Sequence, residues 1–287
     1  MQPTLPDLTI RQMAYLVAVV DEPTWAMAAE RVGVSASALS QGLAELERRL
    51  GLPLFESQGR RRIVRRSAQP VVDHARRVLA QTRDLVDWSD RVRGGRHGRV
   101  RLGMIDVAAV VHYPSTVAAF RTEHPDVALT LSVAPSAQLL HGLRDGDVDL
   151  VVCVDPPERH DGLEIEELRR ETLVVLAPLG TTIGAPAMWG PWVTFPSDSH
   201  TRRLIVTALA EFGAPTVIAA ESHQPDVLVQ MVRLGLGWTV LPVDPSVGDV
   251  GEVVLGPAVV ERVLVMARRA ESINDPAADE LARRLRA

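Results

Sequence analysis

Ser35, Ser37, Ser40 and Gln41 fall within seven positions, and five of the seven residues from 60 to 66 are arginine. A serine hydroxyl makes single hydrogen bonds, and a glutamine amide can donate and accept side by side along a base edge. Clustered guanidinium groups suit phosphate oxygens. With the small Ala38 among them, these residue types describe a face that could approach a polyanion closely and read it.

Such groups need a helix to hold them. Leu39, Leu43, Leu46 and Leu50 follow a 4-3-4 spacing, which at about 100° per residue makes one narrow apolar stripe. Ser37, Gln41, Ala44 and Arg48 fall on the opposite side, flanked by Ser40 and Glu45. A solvated bundle face is the alternative, although that usually carries longer charges. Ser35 has a second role open to it as the N-cap of this helix, which runs to about Leu50. Ahead of it, Thr9 and Gln12 form a capping-box pattern opening a first helix with Ile10, Met13, Ala14, Val17 and Val20 on one face. Asp21-Glu22-Pro23 ends that helix, Thr24 caps a short second one, and Gly33-Val34 is the turn before the third. Arg60, Arg61, Arg62, Arg65 and Arg66 then surround a short Ile63-Val64 strand, as a basic hairpin touching phosphates or a minor groove would require.

A long helix follows Ser67. Val71, Ala75, Val78, Thr82 and Leu85 repeat at heptad spacing, which predicts a dimerising seam. Arg93 to Gly98 reads as a hinge. Beyond it strands alternate with helices: Val100–Met104, Val127–Val133 and Leu150–Val154 as strands, with helices over Tyr113–Glu123 and Ser136–Arg144 between them. This alternation predicts a parallel sheet covered by helices. Leu173–Ala177 and Val193–Phe195 read as strands of a second lobe, Val263–Ala267 as the returning strand, and Pro276–Arg286 as a terminal helix.

All 31 basic residues are arginine, and the absence of lysine excludes Schiff-base chemistry and a Walker-type phosphate loop. No Gly-x-Ser-x-Gly, His-Glu-x-x-His or Gly-rich dinucleotide fingerprint occurs, and Asp145-Gly146-Asp147 lacks the later ligands of a calcium loop. The expectation is a non-enzyme with no catalytic residues, no metal and no cofactor. The single cysteine, Cys153, lies in an apolar run and reads as a small buried hydrophobe. The net charge of −5 is divided: residues 1–99 hold 16 Arg against 11 acidic residues, and residues 100–287 hold 15 Arg against 25. A polyanion would meet the first third. With no apolar run of membrane-spanning length and no secretory signal at the start, a cytoplasmic protein with no membrane partner is expected.

The stretch from Ala28 to Gln41, with Leu46-Glu47, Leu50-Gly51 and Leu54-Phe55-Glu56, resembles the signature of the LysR-type transcriptional regulators. Phe120 with His124-Pro125, Gly146 to Leu150 and Gly235 to Pro242 resemble motifs of that family's effector domain more loosely. The resemblance implies an α/β chain: a winged helix-turn-helix over residues 1–68 and a linker and dimerisation helix over 69–92. A hinge over 93–98 and a two-lobed, periplasmic-binding-protein-like effector domain over 99–287 would follow. Lobe I would take about 99–164 and 268–287, and lobe II about 165–267. It also implies promoter DNA and a small-molecule effector as partners, homodimers or more often homotetramers, and RNA polymerase as a further contact.

For the effector, the resemblance points to Asp106, Val107, Pro135, Ser136, Ser197, His200, Thr201, His223, Gln224 and Trp238. Ser136 and Asp106 have helix capping as an alternative, and His200 and His223 have a surface or packing role as theirs. Ala36, Gln41, Ser57, Arg65 and Ala68 stand where the family commonly has Gln, Arg, Arg, Thr and Gly, so its operators cannot be assumed for this chain. Two further readings remain: a solute-binding or catalytic α/β protein with an incidental helical head, and a constitutive DNA binder whose second domain only oligomerises.

Overall fold

The structure, a computed structural model, describes residues 7–58, 61–94, 98–158, 161–242, 252–273 and 275–287. It divides into two compact units, residues 1–89 with 144–146 and residues 90–143 with 147–287.

In the first unit, α1 (Ile10–Asp21) opens with a reciprocal capping box between Thr9 and Gln12, and Thr24 caps α2 (Trp25–Arg31). In α3 (Ala36–Leu50) the leucine stripe becomes the core: Leu39, Leu43 and Leu46 are fully buried with Leu16 and Leu54. Each such burial stabilises by roughly 1.5–3 kcal/mol, so the stripe alone fixes which way α3 faces. Gly51 ends the helix at φ 68°, a left-handed conformation that glycine adopts without steric cost. The antiparallel hairpin of β1 (Phe55–Gln58) and β2 (Arg61–Val64) follows, with Phe55 opposite Val64. A 3-10 turn over Arg66–Ala68 leads into α4 (Gln69–Gly94), 26 residues long and so about 39 Å.

The second unit runs β3 (Arg99–Met104), α5 (Pro114–Glu123), β4 (Ala128–Val133), α6 (Ser136–Asp145), β5 (Leu150–Val154), β6 (Leu163–Pro178) and β7 (Trp192–Thr194). It continues with α7 (His200–Glu211), β8 (Ile218–Glu221), α8 (Pro225–Arg233), β9 (Thr239–Pro242), β10 (Val253–Arg269) and α9 (Pro276–Arg286). Six strands form one sheet in the order β4-β3-β5-β10-β6-β9, and β7 pairs with β8 in a second.

The expectation of a parallel sheet holds for β4, β3 and β5 and for the β7–β8 pair but fails for β10, β6 and β9. β10 runs antiparallel to both β5 and β6, and β6 antiparallel to β9. The physical reason is length. β6 and β10 have 16 and 17 residues and pair with each other along nearly their whole extent, so they traverse the domain rather than serve one lobe. Their two halves pack into different cores. Ile165 and Leu168 of β6, with Val263 to Ala267 of β10, belong to the core that holds β3, β5, α6 and α9. Leu173 and Val175 to Ala177, with Val253, Val259 and Val260, belong to the core around Trp192, Leu209, Leu228 and Trp238. The cores therefore change over between 168 and 173 in β6 and between 260 and 263 in β10, inside the strands.

Candidate functional site

The face of α3 opposite its leucines carries Ser37, Gln41, Ala44 and Arg48, all exposed, with Ala38 and Ser40 half-buried at its edges. Ser35 is the N-cap: its Oγ accepts from the Ala38 amide at 3.2 Å and lies 3.0 Å from the Ser37 Oγ. Arg48 is held by Glu45, whose carboxyl two arginines, Arg48 and Arg49, lower to about 2. Gln41 has no such commitment among the described residues.

The hairpin sorts the arginines. Glu47 accepts from the Leu54 and Phe55 amides at 2.8 and 3.2 Å with one oxygen and ion-pairs with Arg62 at 3.0 Å with the other. The Arg62 guanidinium also lies 5.2 Å from the Trp25 ring centre and 4.9 Å from that of Phe55. The indole N–H of Trp25 donates to the Arg62 carbonyl. Arg62 thus cements the hairpin to α2 and α3. Arg65 donates through Nε to the Phe55 carbonyl at 2.9 Å. Arg66 is exposed, and its side chain has no partner among the described residues. The backbone of Arg61 pairs with Gln58, and Arg60 lies outside the described residues. In the sequence Glu47 is one residue of the Leu46-Glu47 motif, with nothing in the motif itself that announces this role. An acid one turn before an apolar turn and an arginine hairpin was the available signal.

In the second unit a cleft of about 220 Å³ opens where the two cores meet. Of the residues expected there, Asp106, Val107, Pro135, Ser136, Thr201, His223 and Gln224 line it, with Ser199 from the same stretch before Thr201; Phe195 and Arg262 were not expected. Ser197, His200 and Trp238 are not brought into it. Ser197 is exposed in the turn before α7. His200 is turned inward: its Nδ1 is buried without a partner among the described residues, and burial lowers its pKa. Trp238 belongs to the second core, stacked 6.4 Å from Trp189 and edge-on to Trp192. Its motif is a packing device, because a Cβ on Gly237 would come within 2.6 Å of the Pro191 carbonyl oxygen.

Ser136 Oγ accepts from the Val154 amide at 3.2 Å, tying the start of α6 to the end of β5. The starts of α6, α7 and α8 all reach the cleft through Ser136, Ser199 and Gln224, which places partial positive charge there. Asp106 makes no capping hydrogen bond among the described residues. Burial raises its pKa, and the charge of Asp226 raises it further.

Arg262 is 4% exposed and stands opposite Glu171 in the β10–β6 register. It donates Nε to Glu171 at 2.6 Å and Nη1 to the Thr201 hydroxyl at 3.2 Å. His112, in a π-helical turn over Ala108–His112, contacts Glu171 through Nε2 at 2.6 Å and Arg169 through Nδ1 at 2.7 Å. An arginine can only donate, so His112 accepts at Nδ1 and carries its proton on Nε2. An arginine next to the apolar run 263–267 was the signal that could have found Arg262.

A helix-turn-helix head with a basic hairpin, joined to a two-lobed domain with a cleft, defines a DNA-binding regulator with a sensory domain. Residues 10–68 match the model of the bacterial regulatory helix-turn-helix protein of the lysR family, and residues 93–287 match the LysR substrate binding domain. The chain belongs to the LysR family of transcriptional regulators.

An uncharacterised HTH-type transcriptional regulator, YfeR of Shigella flexneri, is 27% identical over 95% of this chain and 92% of its own. The HTH-type regulator DgdR of Burkholderia cepacia is 30% identical over 82% and 78%. Among solved structures, a full-length OxyR variant from Pseudomonas aeruginosa superposes with a TM-score of 0.62 at 24% identity, covering 97% of this chain and 95% of that one. CbnR, a LysR family regulator, gives 0.60 at 19%, covering 97% and 98%. Among the described residues no helix is long and apolar enough to cross a membrane.

Proposed function

We propose that this chain is a cytoplasmic, non-enzymatic regulator that reads its operator with Ser37, Ser40 and Gln41 of α3. In this reading Arg66, and the arginines at 60 and 61, hold phosphates. The carrying observation is that Gln41 is exposed and uncommitted on a helix whose opposite side is locked into the core. Arg62 and Ser35 hold that helix and hairpin in place rather than touch DNA. Footprinting on the chain's own upstream region tests the reading. A protected site that Gln41→Ala loses while non-specific binding survives supports it; no protected site there or in random fragments would overturn it.

The cleft is the effector site in this reading. Its polar groups come from both lobes and from the crossing strands, so a ligand there would change how the lobes meet. Two copies pair through α4. Val71, Ala75 and Val78 pack onto the core of their own head, whereas Leu85, Val86 and Trp88 are exposed apolar side chains further along. The seam for a second copy is therefore the later part of the helix, with pairing of dimers into tetramers on the promoter as the further step.

A further inference from the structure

The charges around the cleft specify more than a small ligand. Asp106 follows β3, is half-buried, and makes no hydrogen bond or ion pair among the described residues. Burial disfavours its charge, and the carboxylate of Asp226 in the first turn of α8 adds to that. A half-buried carboxylate that lines the cleft without a partner invites a cation. The floor has the opposite character. Arg262 is almost fully buried, and its Nε and Nη1 reach Glu171 and Thr201, which leaves N–H groups of its five-donor fork without a partner among the described residues. Glu171 is shared with His112, so it does not serve Arg262 alone. An anionic oxygen in the cleft would complete the hydrogen bonding of the Arg262 fork.

Resting on the reading of this cleft as the effector site, we infer that its ligand is a small amphoteric molecule. Its ammonium group is held at Asp106, and its carboxylate at Arg262 and Thr201. A simple acid satisfies the floor but meets repulsion at Asp106, and a simple amine leaves the arginine fork unused. The cavity of about 220 Å³ lies below the usual ligand-pocket range of roughly 300–1,000 Å³, which limits the ligand to about amino-acid size.

Calorimetry on the full-length protein tests this with three sets of probes: the common L-amino acids, the corresponding deaminated acids, and the decarboxylated amines. The expected result is an amino acid that binds once per chain, with both single-charge analogues weaker by about tenfold or more. Asp106→Asn should erase the advantage over the deaminated acid, and Thr201→Val should narrow the advantage over the amine, since Arg262 still meets the carboxylate. A deaminated acid that binds as tightly as its amino acid, and weakens in Thr201→Val, overturns the amphoteric ligand while leaving the cleft as the effector site. Ligands that bind wild type, Asp106→Asn and Thr201→Val equally overturn both readings. Silence from all three sets overturns the inference, and a melting curve for each variant separates lost binding from lost folding.

Discussion

Glu47 determines which cations of the hairpin are free. It bonds two backbone amides of the turn and fixes Arg62, which packs over Trp25 and Phe55. Arg62→Ala should therefore act on stability, lowering it by about 1 kcal/mol in chemical denaturation, the sum of a screened ion pair and a partly exposed cation–π contact. Arg66→Ala should leave stability unchanged and reduce the slope of log K against log salt by about 0.9, one phosphate contact. Equal salt slopes for wild type and Arg66→Ala would remove Arg66 from the DNA surface. Gln41→Ala should cost about 1–3 kcal/mol on the operator and little on random duplex, as measured by fluorescence anisotropy. Equal losses on both would make Gln41 a backbone contact. Cys153 is fully buried, and burial pushes its thiol up to about 12. Native protein at pH 8 should resist iodoacetamide until it is unfolded, whereas rapid native alkylation would contradict that burial.

At the scale of elements, the proposed pairing of copies has only part of the α4 heptad face open to it. Val78 packs partly against its own head, so a charge there would disturb folding as well as assembly. Leu85 is 52% exposed and free of that core, which makes Leu85→Asp the cleaner test. Sedimentation should show the variant dissociating with its melting temperature little changed, and an intact oligomer would move the interface elsewhere. The elements read well from sequence are those with caps and one clean period. Thr9, Thr24 and Ser35 start their helices as expected, and α9 begins at Pro276 behind the Asp275 cap. The second lobe was less legible. β6 begins Leu-Glu-Ile-Glu-Glu-Leu-Arg-Arg, where charges on an exposed half hide a strand that only its later residues announce. In α8, Pro-Asp-Val-Leu-Val-Gln-Met-Val-Arg carries three valines that favour a strand, and packing of Leu228 and Val232 overrides them. Seven of the ten residues that the resemblance pointed to line the cleft, because strand ends and helix starts of an α/β sheet converge at one edge. Arg262 escaped because its importance depends on a register partner, Glu171, that lies 91 positions away.

For the whole molecule, the order in which the parts can form follows from β6 and β10. The head has its own core from residues 13–75, complete early in synthesis. Lobe I cannot close its sheet until β10 lies beside β5, and its core also takes Leu281 and Leu285 from α9. Since domains generally fold as units and N-terminal ones first, a nascent chain should own a finished DNA-binding head long before it has a sensor. A message interrupted anywhere between β3 and β10 would then yield heads that keep α4 and can pair with full-length copies, yet have no cleft to answer an effector. Co-expression of a fragment ending after residue 92 with the full chain should silence a reporter's response to effector without abolishing promoter occupancy. A response that persists undiminished would show that α4 alone does not hold the two copies together.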